Sequence, residues 1–193
     1  METWQKNLQN WGKVPFIKQL IKKFPKADLF LVGGAVRDEI LGRETKDFDF
    51  VVRGVSKNDL QKFLATQGKV DLVGKKFGVF KFKPKDWKGL EIDIALPRTE
   101  HSINLSGAYK DFKIKSNAKL KIEDDLSRRD FTINTMAFQI AKSYELKAKS
   151  SLIDPFDGLA DLKKGIIRAV GNPASRFKED YSRILRAIRF ACQ

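Results

Sequence analysis

The chain has few of the side chains on which several common kinds of site depend. It contains one cysteine, Cys192, and one histidine, His101. A single cysteine cannot form a disulfide within the chain, which fits a reducing compartment such as the cytoplasm. A single histidine argues against zinc sites built from histidines and against Ser-His-Asp or Cys-His catalysis.

Long apolar runs are also missing. No stretch approaches the roughly 20 apolar residues that a membrane-spanning helix needs. The N-terminal stretch METWQKNLQNWGKVPF lacks the apolar core of a signal peptide. We therefore expect a soluble protein with a cytoplasmic location.

Positive charge is in clear excess. The chain has 38 Lys+Arg against 24 Asp+Glu, for a formal net charge of +14. This excess predicts attraction to a polyanion, with nucleic acid ahead of an anionic membrane surface, although it could also serve solubility alone. With 193 residues, of which 42% are hydrophobic, the chain is long enough for one full domain and part of a second.

The stretch 31–52 predicts a strand, a glycine turn, a short helix, a loop and a second strand. Gly33 and Gly34 form the turn, and a glycine turn at a helix N-terminus lets backbone N–H groups approach a phosphate. Asp47 and Asp49 are two residues apart on the second strand, so both side chains point to one face. Paired carboxylates suit a hard cation such as Mg²⁺. The combination predicts metal-assisted phosphoryl or nucleotidyl transfer.

Nucleotidyl transfer also needs cations that hold the leaving pyrophosphate. Arg37, one turn into the short helix, is the predicted phosphate ligand together with the backbone of Gly34. Arg129 is a further candidate for phosphate or ribose. Asp93 lies on an alternating strand at 90–96, and two readings stay open: it faces the Asp47 and Asp49 pair, or it belongs to a solvated face.

The nucleotide base has its own candidate recognition residues. A helix predicted over 179–191 places Asp180 and Arg183 at i and i+3 on one face. An acceptor beside a donor matches the amino group and ring nitrogen that cytosine and adenine both present. Arg186, three residues later, could reach the triphosphate. The alternative is an ordinary surface ion pair, which the spacing alone favours.

Periodicity and capping signals predict the other elements. Helices are predicted at 15–24, 35–41, 56–67 and 130–140, and strands at 28–32, 48–52, 70–73, 77–82 and 166–170, with a strand end and turn at 152–158. The lysine-rich stretch 101–123 is predicted to be a solvated loop or edge, with a phosphate-contacting surface as the alternative. The acidic residues 123–125 are interpreted as helix-start charge or as local partners of Arg128 and Arg129.

Six segments resemble the class II tRNA nucleotidyltransferases (the CCA-adding enzymes) and the closely related bacterial poly(A) polymerases. They are LVGGAVRD (31–38), KDFDF (46–50), PRTE (97–100), IEDDLSRRDFTINTMAF (122–138), IDPFDGLADL (153–162) and RFKEDYSRILRAIRFA (176–191). The combination is far more specific than any single motif, and it covers nearly the whole chain from Leu29 onward.

The resemblance implies a fold class and a domain organisation. The expected fold is α/β, with a small mixed, mostly antiparallel sheet flanked by helices and followed by the start of a helical neck. Residues 1–150 would form the catalytic head, and 151–193 the head-to-neck segment with the nucleotide-selecting helix. Because the chain stops at Gln193 inside a helical pattern, we expect a longer protein whose C-terminal domains are needed for tRNA binding.

The resemblance also assigns roles to individual residues. The catalytic and metal-binding residues would be Asp47 and Asp49. The nucleotide-binding residues would be Gly33, Gly34 and Arg37 of the glycine turn, Arg128, Arg129 and Asp130 of the RRD motif, and Asp180, Arg183 and Arg186 of the nucleotide-selecting helix.

The implied activity is template-independent addition of C and A, from CTP and ATP with Mg²⁺, to the 3′ end of tRNA. Partial addition, of C alone or A alone, is equally compatible. The first alternative is a poly(A) polymerase, which makes long A tails. The second is a nucleotide- or RNA-binding module without turnover, which the intact pair Asp47 and Asp49 disfavours.

Overall fold

The computed structural model describes residues 3–45, 47–73, 78–86, 91–102, 112–141 and 151–193. Phe77 and Leu90, each predicted to begin a strand, lie outside these residues. So do Lys46 of the KDFDF segment and the part of the lysine-rich stretch at 103–111. None of the helices in the described ranges has the length and hydrophobicity required to traverse a bilayer.

The elements alternate along the chain. The helices are α1 Thr3–Asn10, α2 Pro15–Lys23, α3 Gly34–Ile40, α4 Lys57–Gln67, α5 Ile122–Ser127, α6 Gly158–Lys163, α7 Pro173–Glu179 and α8 Ser182–Ala191, with 3-10 turns at Trp11–Lys13 and Thr132–Asn134. The strands are β1 Asp28–Val32, β2 Phe48–Arg53, β3 Gly68–Val73, β4 Val79–Pro84, β5 Ile92–Ala95, β6 Arg98–Ser102, β7 Phe112–Ser116, β8 Ala137–Ala141 and β9 Ser151–Ile153.

Seven strands form one mixed sheet in the order β3-β4-β5-β2-β1-β8-β9, and β6 and β7 form a separate two-stranded sheet. Every neighbouring pair in the large sheet is antiparallel except β2 and β5, which run parallel. The register of this parallel pair places Asp93 beside Asp49. The expectation of a small mixed, mostly antiparallel sheet flanked by helices is therefore confirmed.

The sheet is buried on both faces near its centre. One face packs against the helices that precede and follow β1 and β2, with Leu20 of α2 and Leu64 of α4 in the same cluster as Phe50. The other face packs against α5, where Leu126 joins Val51. Each such side chain contributes about 1.5–3 kcal/mol of burial free energy, so the central strands are held firmly.

Capping chemistry explains where α4 begins. Ser56 precedes the helix in an extended conformation, and its hydroxyl oxygen accepts a hydrogen bond from the Asp59 N–H at 3.1 Å. The Ser56 hydroxyl also donates to the Asp59 carboxylate at 2.6 Å. The Ser56 side chain therefore caps α4, which ends at Gln67 before Gly68, in agreement with the predicted helix at 56–67.

The prediction of a helix over 130–140 is wrong. Only Thr132–Asn134 is helical, as a 3-10 turn, and β8 follows with Ala137 paired to Val32 of β1. The spacing of Ile133, Met136 and Ile140 suits a helix, yet all three are buried because this segment is covered on both sides. A strand buried on both faces shows no alternation, so its pattern cannot be distinguished from that of a buried helix.

One smaller strand prediction is wrong, part of the lysine-rich stretch forms a strand, and one helix was not predicted. Within 166–170 no strand forms, and the only pairing described there is a bridge between Phe131 and Ala169. In the stretch 101–123, predicted to be a solvated loop or edge, Phe112–Ser116 forms β7 and pairs with β6 in the separate two-stranded sheet. Helix α1 was not anticipated, because its only apolar residues are Trp4 and Leu8, which pack into the core.

Candidate active site

A cleft of about 610 Å³ gathers nearly all of the predicted site residues. They are Gly34, Arg37, Asp47, Asp49, Arg128, Arg129, Asp130, Asp180, Arg183 and Arg186. Asp93 lines the same cleft, so the open question about its direction is answered in favour of the carboxylate pair. Gly33 lies next to the cleft, beneath the side chain of Arg129.

The acidic cluster of the cleft consists of Asp47, Asp49 and Asp93. Asp49 lies on β2, whereas Asp47 immediately precedes this strand and donates its backbone N–H to the Thr45 hydroxyl at 3.2 Å. Asp93 belongs to β5, and parallel pairing brings it level with Asp49 at the usual interstrand spacing of about 4.8 Å.

Burial and mutual repulsion act on the acidic cluster. Asp49 is accessible from the cleft but enclosed by protein on its other sides, and this burial raises its pKa. Arg129 lowers the pKa of Asp49, while the charges of Asp93 and Asp47 raise it further. Burial also raises the pKa of Asp93, against the opposing effect of Lys81 at 3.8 Å. A divalent cation would relieve this repulsion.

The donor set fits a hard cation that is shared with a substrate. Among the described residues, no three His, Cys, Asp or Glu side chains converge closely enough to hold a metal ion by themselves. Asp47 and Asp49 would therefore supply part of a coordination shell, and phosphate and water oxygens the rest. Mg²⁺ is commonly bound in this way.

The glycine turn packs directly against Arg129. Gly33 has φ 71° and ψ −130°, a conformation that L side chains rarely adopt, and its N–H donates to the Met136 carbonyl at 3.1 Å. A Cβ atom at this position would collide with the Arg129 guanidinium and lie 3.8 Å from the Asn134 carbonyl. Glycine is therefore favoured by the backbone conformation, and it leaves room for the Arg129 guanidinium in its present position.

A chain of hydrogen bonds connects the glycine-turn helix with α8. Arg37 donates to the Asn134 side-chain oxygen at 2.6 Å, and the Asn134 amide donates to Asp130 at 3.1 Å. The other oxygen of Asp130 accepts from Arg186 at 2.7 Å. Arg37 also pairs with Asp38 at 2.7 Å. Asn134 was not predicted, and its only signal in the sequence is its place four residues after Asp130 in the RRD segment.

The buried carboxylate of Asp125 pairs with both arginines of the RRD motif. Arg128 pairs with it at 3.0 Å and Arg129 at 3.6 Å, and the Arg98 backbone N–H donates to it at 3.0 Å. Burial opposes ionisation of Asp125, yet Arg128 and Arg129 hold its pKa below the usual value. All three residues at 123–125 lie in the first turn of α5 and Asp125 pairs with both arginines, so the interpretation as helix-start charge or local pairing is confirmed.

The prediction that Asp180 and Arg183 share a helix face is wrong. Asp180 is extended, with φ −154° and ψ 104°, and separates α7 from α8. Its carboxylate accepts a hydrogen bond from the N–H of Ser182, the first residue of α8, at 2.9 Å. Arg183 instead contacts Glu179 at 2.8 Å. Both Asp180 and Arg183 line the cleft and are 7% and 6% exposed.

An aromatic ring at the cleft joins three arginines and was not anticipated. The guanidinium groups of Arg37, Arg186 and Arg189 lie 5.0, 5.4 and 4.9 Å from the centre of the Phe190 ring. A ring within about 6 Å attracts a cation through its quadrupole. Phe190 therefore helps to keep several like charges together at one side of the cleft.

A family model described as the Poly A polymerase head domain matches residues 29–168. The chain belongs to the poly A polymerase head domain family. The match includes the acidic cluster and the RRD motif but ends before Asp180, Arg183 and Arg186. Family membership also agrees with the sheet and its flanking helices.

Curated relatives carry the name Multifunctional CCA protein. The proteins of Nitrosospira multiformis and Neisseria gonorrhoeae are 40% and 44% identical over 164 residues, which is 85% of this chain in each case. The chain spans 34% of the length of these relatives.

Solved structures of tRNA-processing enzymes are similar to this fold over most of the length of this chain. An apo form of a CCA-adding enzyme gives a TM-score of 0.71 at 34% identity, covering 96% of this chain and 42% of that one. The Thermotoga maritima CCA-adding enzyme complexed with tRNA(CCA) gives 0.65 at 33% identity, covering 96% and 40%. A tRNA nucleotidyltransferase with a primer tRNA and an incoming ATP analog gives 0.65 at 36% identity, covering 90% and 43%.

Proposed function

We propose that the protein is a template-independent tRNA nucleotidyltransferase that adds C and A, from CTP and ATP, to the 3′ end of tRNA. The observation that carries the proposal is the meeting of an acidic cluster and an arginine cluster in one cleft of about 610 Å³. A nucleoside triphosphate needs both, because metal-coordinating oxygens and cationic phosphate ligands act on neighbouring atoms during transfer. Relatives named for CCA addition support the choice of reaction.

Asp47 and Asp49 would hold Mg²⁺ as the catalytic carboxylates, with Asp93 alongside. Bound Mg²⁺ would neutralise phosphate charge and lower the pKa of the attacking 3′-hydroxyl. Because protein surrounds Asp49 except at the cleft and its pKa is raised, protons and the cation would compete for it at low pH. The carboxylates themselves position the cation, and no side chain needs to form a covalent intermediate.

The arginines of the cleft would hold the phosphates and the ribose. Arg37 is the principal candidate for binding the pyrophosphate. It lies on α3, close to Gly34, and its guanidinium is oriented by contacts with Asp38 and Asn134. Arg129 extends over the glycine turn, and Arg128 shares its anchor on Asp125. Guanidinium groups fit phosphate oxygens because their donors form a planar fork.

Asp180 and Arg183 remain the proposed base-recognition pair, in a modified arrangement. One oxygen of Asp180 accepts from the Ser182 N–H, so the second oxygen is available for the amino group of cytosine or adenine. Arg183 is oriented by Glu179 and could donate to the ring nitrogen. Guanine and uracil present the opposite polarity and would be rejected.

The proposal extends to the organisation and location of the protein. Residues 1–150 would form the catalytic head, and 151–193 would lead into the neck and supply the nucleotide-selecting helix. The two segments share the large sheet, because β9 pairs with β8. Binding of tRNA would need further, C-terminal domains, and this chain spans 34% of the length of the Nitrosospira multiformis relative. A cytoplasmic location is consistent with the single cysteine.

The test is an incorporation assay with the complete protein. A tRNA that lacks its terminal CCA is incubated with Mg²⁺ and labelled CTP and ATP, and the products are sequenced. We expect incorporation of C, C and A by the wild type and none by D47A or D49A, with unchanged circular dichroism of both variants. Absence of incorporation by the folded wild-type protein with any divalent metal would refute the proposal.

The runner-up is a poly(A) polymerase, which the description of the matching family model favours. The same assay separates the two activities, since only the product differs. Long A tails without C incorporation would establish the alternative, whereas a product that ends after CCA would exclude it.

A further inference from the structure

Asn134 occupies a buried position between two charged groups of opposite sign. It is 6% exposed and lies in the 3-10 turn Thr132–Asn134, between β8 and the RRD motif. Its side-chain oxygen accepts from Arg37 at 2.6 Å, and its side-chain nitrogen donates to Asp130 at 3.1 Å. Sequence reasoning gave this residue no role.

The chemistry of the two partners fixes the orientation of the amide. A guanidinium has only donors, and an ionised carboxylate has only acceptors. The Asn134 oxygen must therefore face Arg37 and its nitrogen must face Asp130. Among short side chains, only asparagine offers one acceptor and two donors without a charge, so it can join the two groups without adding repulsion.

The connection continues to both sides of the cleft. Asp130 uses its second oxygen for Arg186 of α8, at 2.7 Å. Arg37 and Arg186 also meet at Phe190, at 5.0 and 5.4 Å from its ring centre. The proposed phosphate ligand and the proposed nucleotide-selecting helix are thus joined twice, once through hydrogen bonds and once through an aromatic ring.

We propose that Asn134 is a positioning residue that orients the Arg37 guanidinium toward the triphosphate of the incoming nucleotide and connects it, through Asp130, to α8. This inference rests on the proposed function, because it assumes that Arg37 binds the nucleotide. Without Asn134, Arg37 keeps only Asp38 and the Phe190 ring as partners among its described contacts. A long side chain with fewer partners samples more orientations, so its guanidinium adopts the orientation that binds the phosphates less often.

The test is a double-mutant cycle on CTP affinity, measured by calorimetry with the complete protein and Mg²⁺. N134A is expected to weaken CTP binding about tenfold to a hundredfold, the range for losing a hydrogen bond to a charged group. In an R37A background, N134A is expected to change affinity by less than about twofold, because nothing is left to position. A residue that only stabilises the fold would show the same effect in both backgrounds.

Thr135 supplies a matched control in the same buried segment. Its hydroxyl donates to the Thr132 carbonyl at 2.6 Å. T135V removes that hydrogen bond, and we expect a lower unfolding temperature with CTP affinity unchanged within about twofold. This control separates loss of local stability from loss of orientation.

The outcomes distinguish the inference from the function on which it rests. If the wild type binds CTP, R37A weakens binding, and N134A equals the wild type, the positioning role is refuted and the proposed function stands. Equal losses from N134A in both backgrounds also refute the positioning role. If the folded wild type binds neither CTP nor ATP, both proposals fail.

Discussion

Replacement of Gly33 by alanine tests the glycine turn and its arginine together. At φ 71° and ψ −130° an alanine is strained, which costs about 1–3 kcal/mol. The new methyl group would also meet the guanidinium of Arg129, the flexible end of a long side chain. The arginine can move away at little further cost in stability, but it then leaves the place where we expect it to bind phosphate or ribose.

Gly42 provides the matched control for this change. It also has a positive φ, 67°, but a Cβ atom there meets nothing within 4 Å. G42A should therefore cost about 1–2 kcal/mol of stability through backbone strain and leave the cleft unchanged.

The two variants should separate in nucleotide affinity. Losing one charge-assisted hydrogen bond weakens binding by about 1.5–3 kcal/mol, or roughly 10- to 150-fold. We expect that loss in G33A and no change in G42A, measured by CTP titration with Mg²⁺ well below the unfolding temperature of each variant. Equal CTP affinity of G33A and the wild type would refute the argument that this glycine makes room for Arg129.

Three further changes test the electrostatics and the capping. Because the raised pKa of Asp49 means that the folded state holds the proton more tightly than the unfolded state, ionised Asp49 is destabilising. D49N should therefore raise the metal-free Tm at pH 7, and the gain should vanish near the ordinary aspartate pKa of about 3.9; a lower Tm at pH 7 would contradict this. Conversely, the pKa of Asp125 is lowered in the folded state, so its ionised carboxylate stabilises the fold at neutral pH, and this stabilisation is lost as the pH falls through the folded-state pKa. D125N should therefore lower the free energy of unfolding, measured in urea at pH 7, by about 3–5 kcal/mol, because Arg128 and Arg129 lose their buried partner. S56A should cost about 1 kcal/mol of unfolding free energy in the same assay without changing CTP affinity, and an unchanged stability would argue against capping by Ser56.

The parts of the site that follow from local rules were predictable from the sequence. The spacing of Asp47 and Asp49 and the glycine turn before Arg37 each depend on a few neighbouring residues, and the structure brings them to one cleft. Local patterns also gave Arg129 and the residues Asp180, Arg183 and Arg186 as candidates, whereas the resemblance added Arg128 and Asp130 and assigned all of them to one site.

The parts that depend on the tertiary fold were not predictable in the same way. β8 was predicted as a helix because burial on both faces removes the alternation that marks a strand. The extended backbone at Asp180 interrupts a segment whose apolar spacing fits a continuous helix. Asn134 gains its role only when the fold brings Arg37 within 2.6 Å of it, across 97 residues of sequence.

The parallel pairing of β2 and β5 has a consequence for how the cleft can adapt. Asp49 and Asp93 stand on adjacent central strands, so they can separate only if the middle of the sheet comes apart. The arginines come instead from α3, from the turn after α5 and from α8, which lie outside the sheet, and the extended residue Asp180 separates α8 from α7. We therefore expect the carboxylate side to act as a fixed reference for every substrate. The difference in size between a pyrimidine and a purine would then be absorbed by a shift of α8 about Asp180.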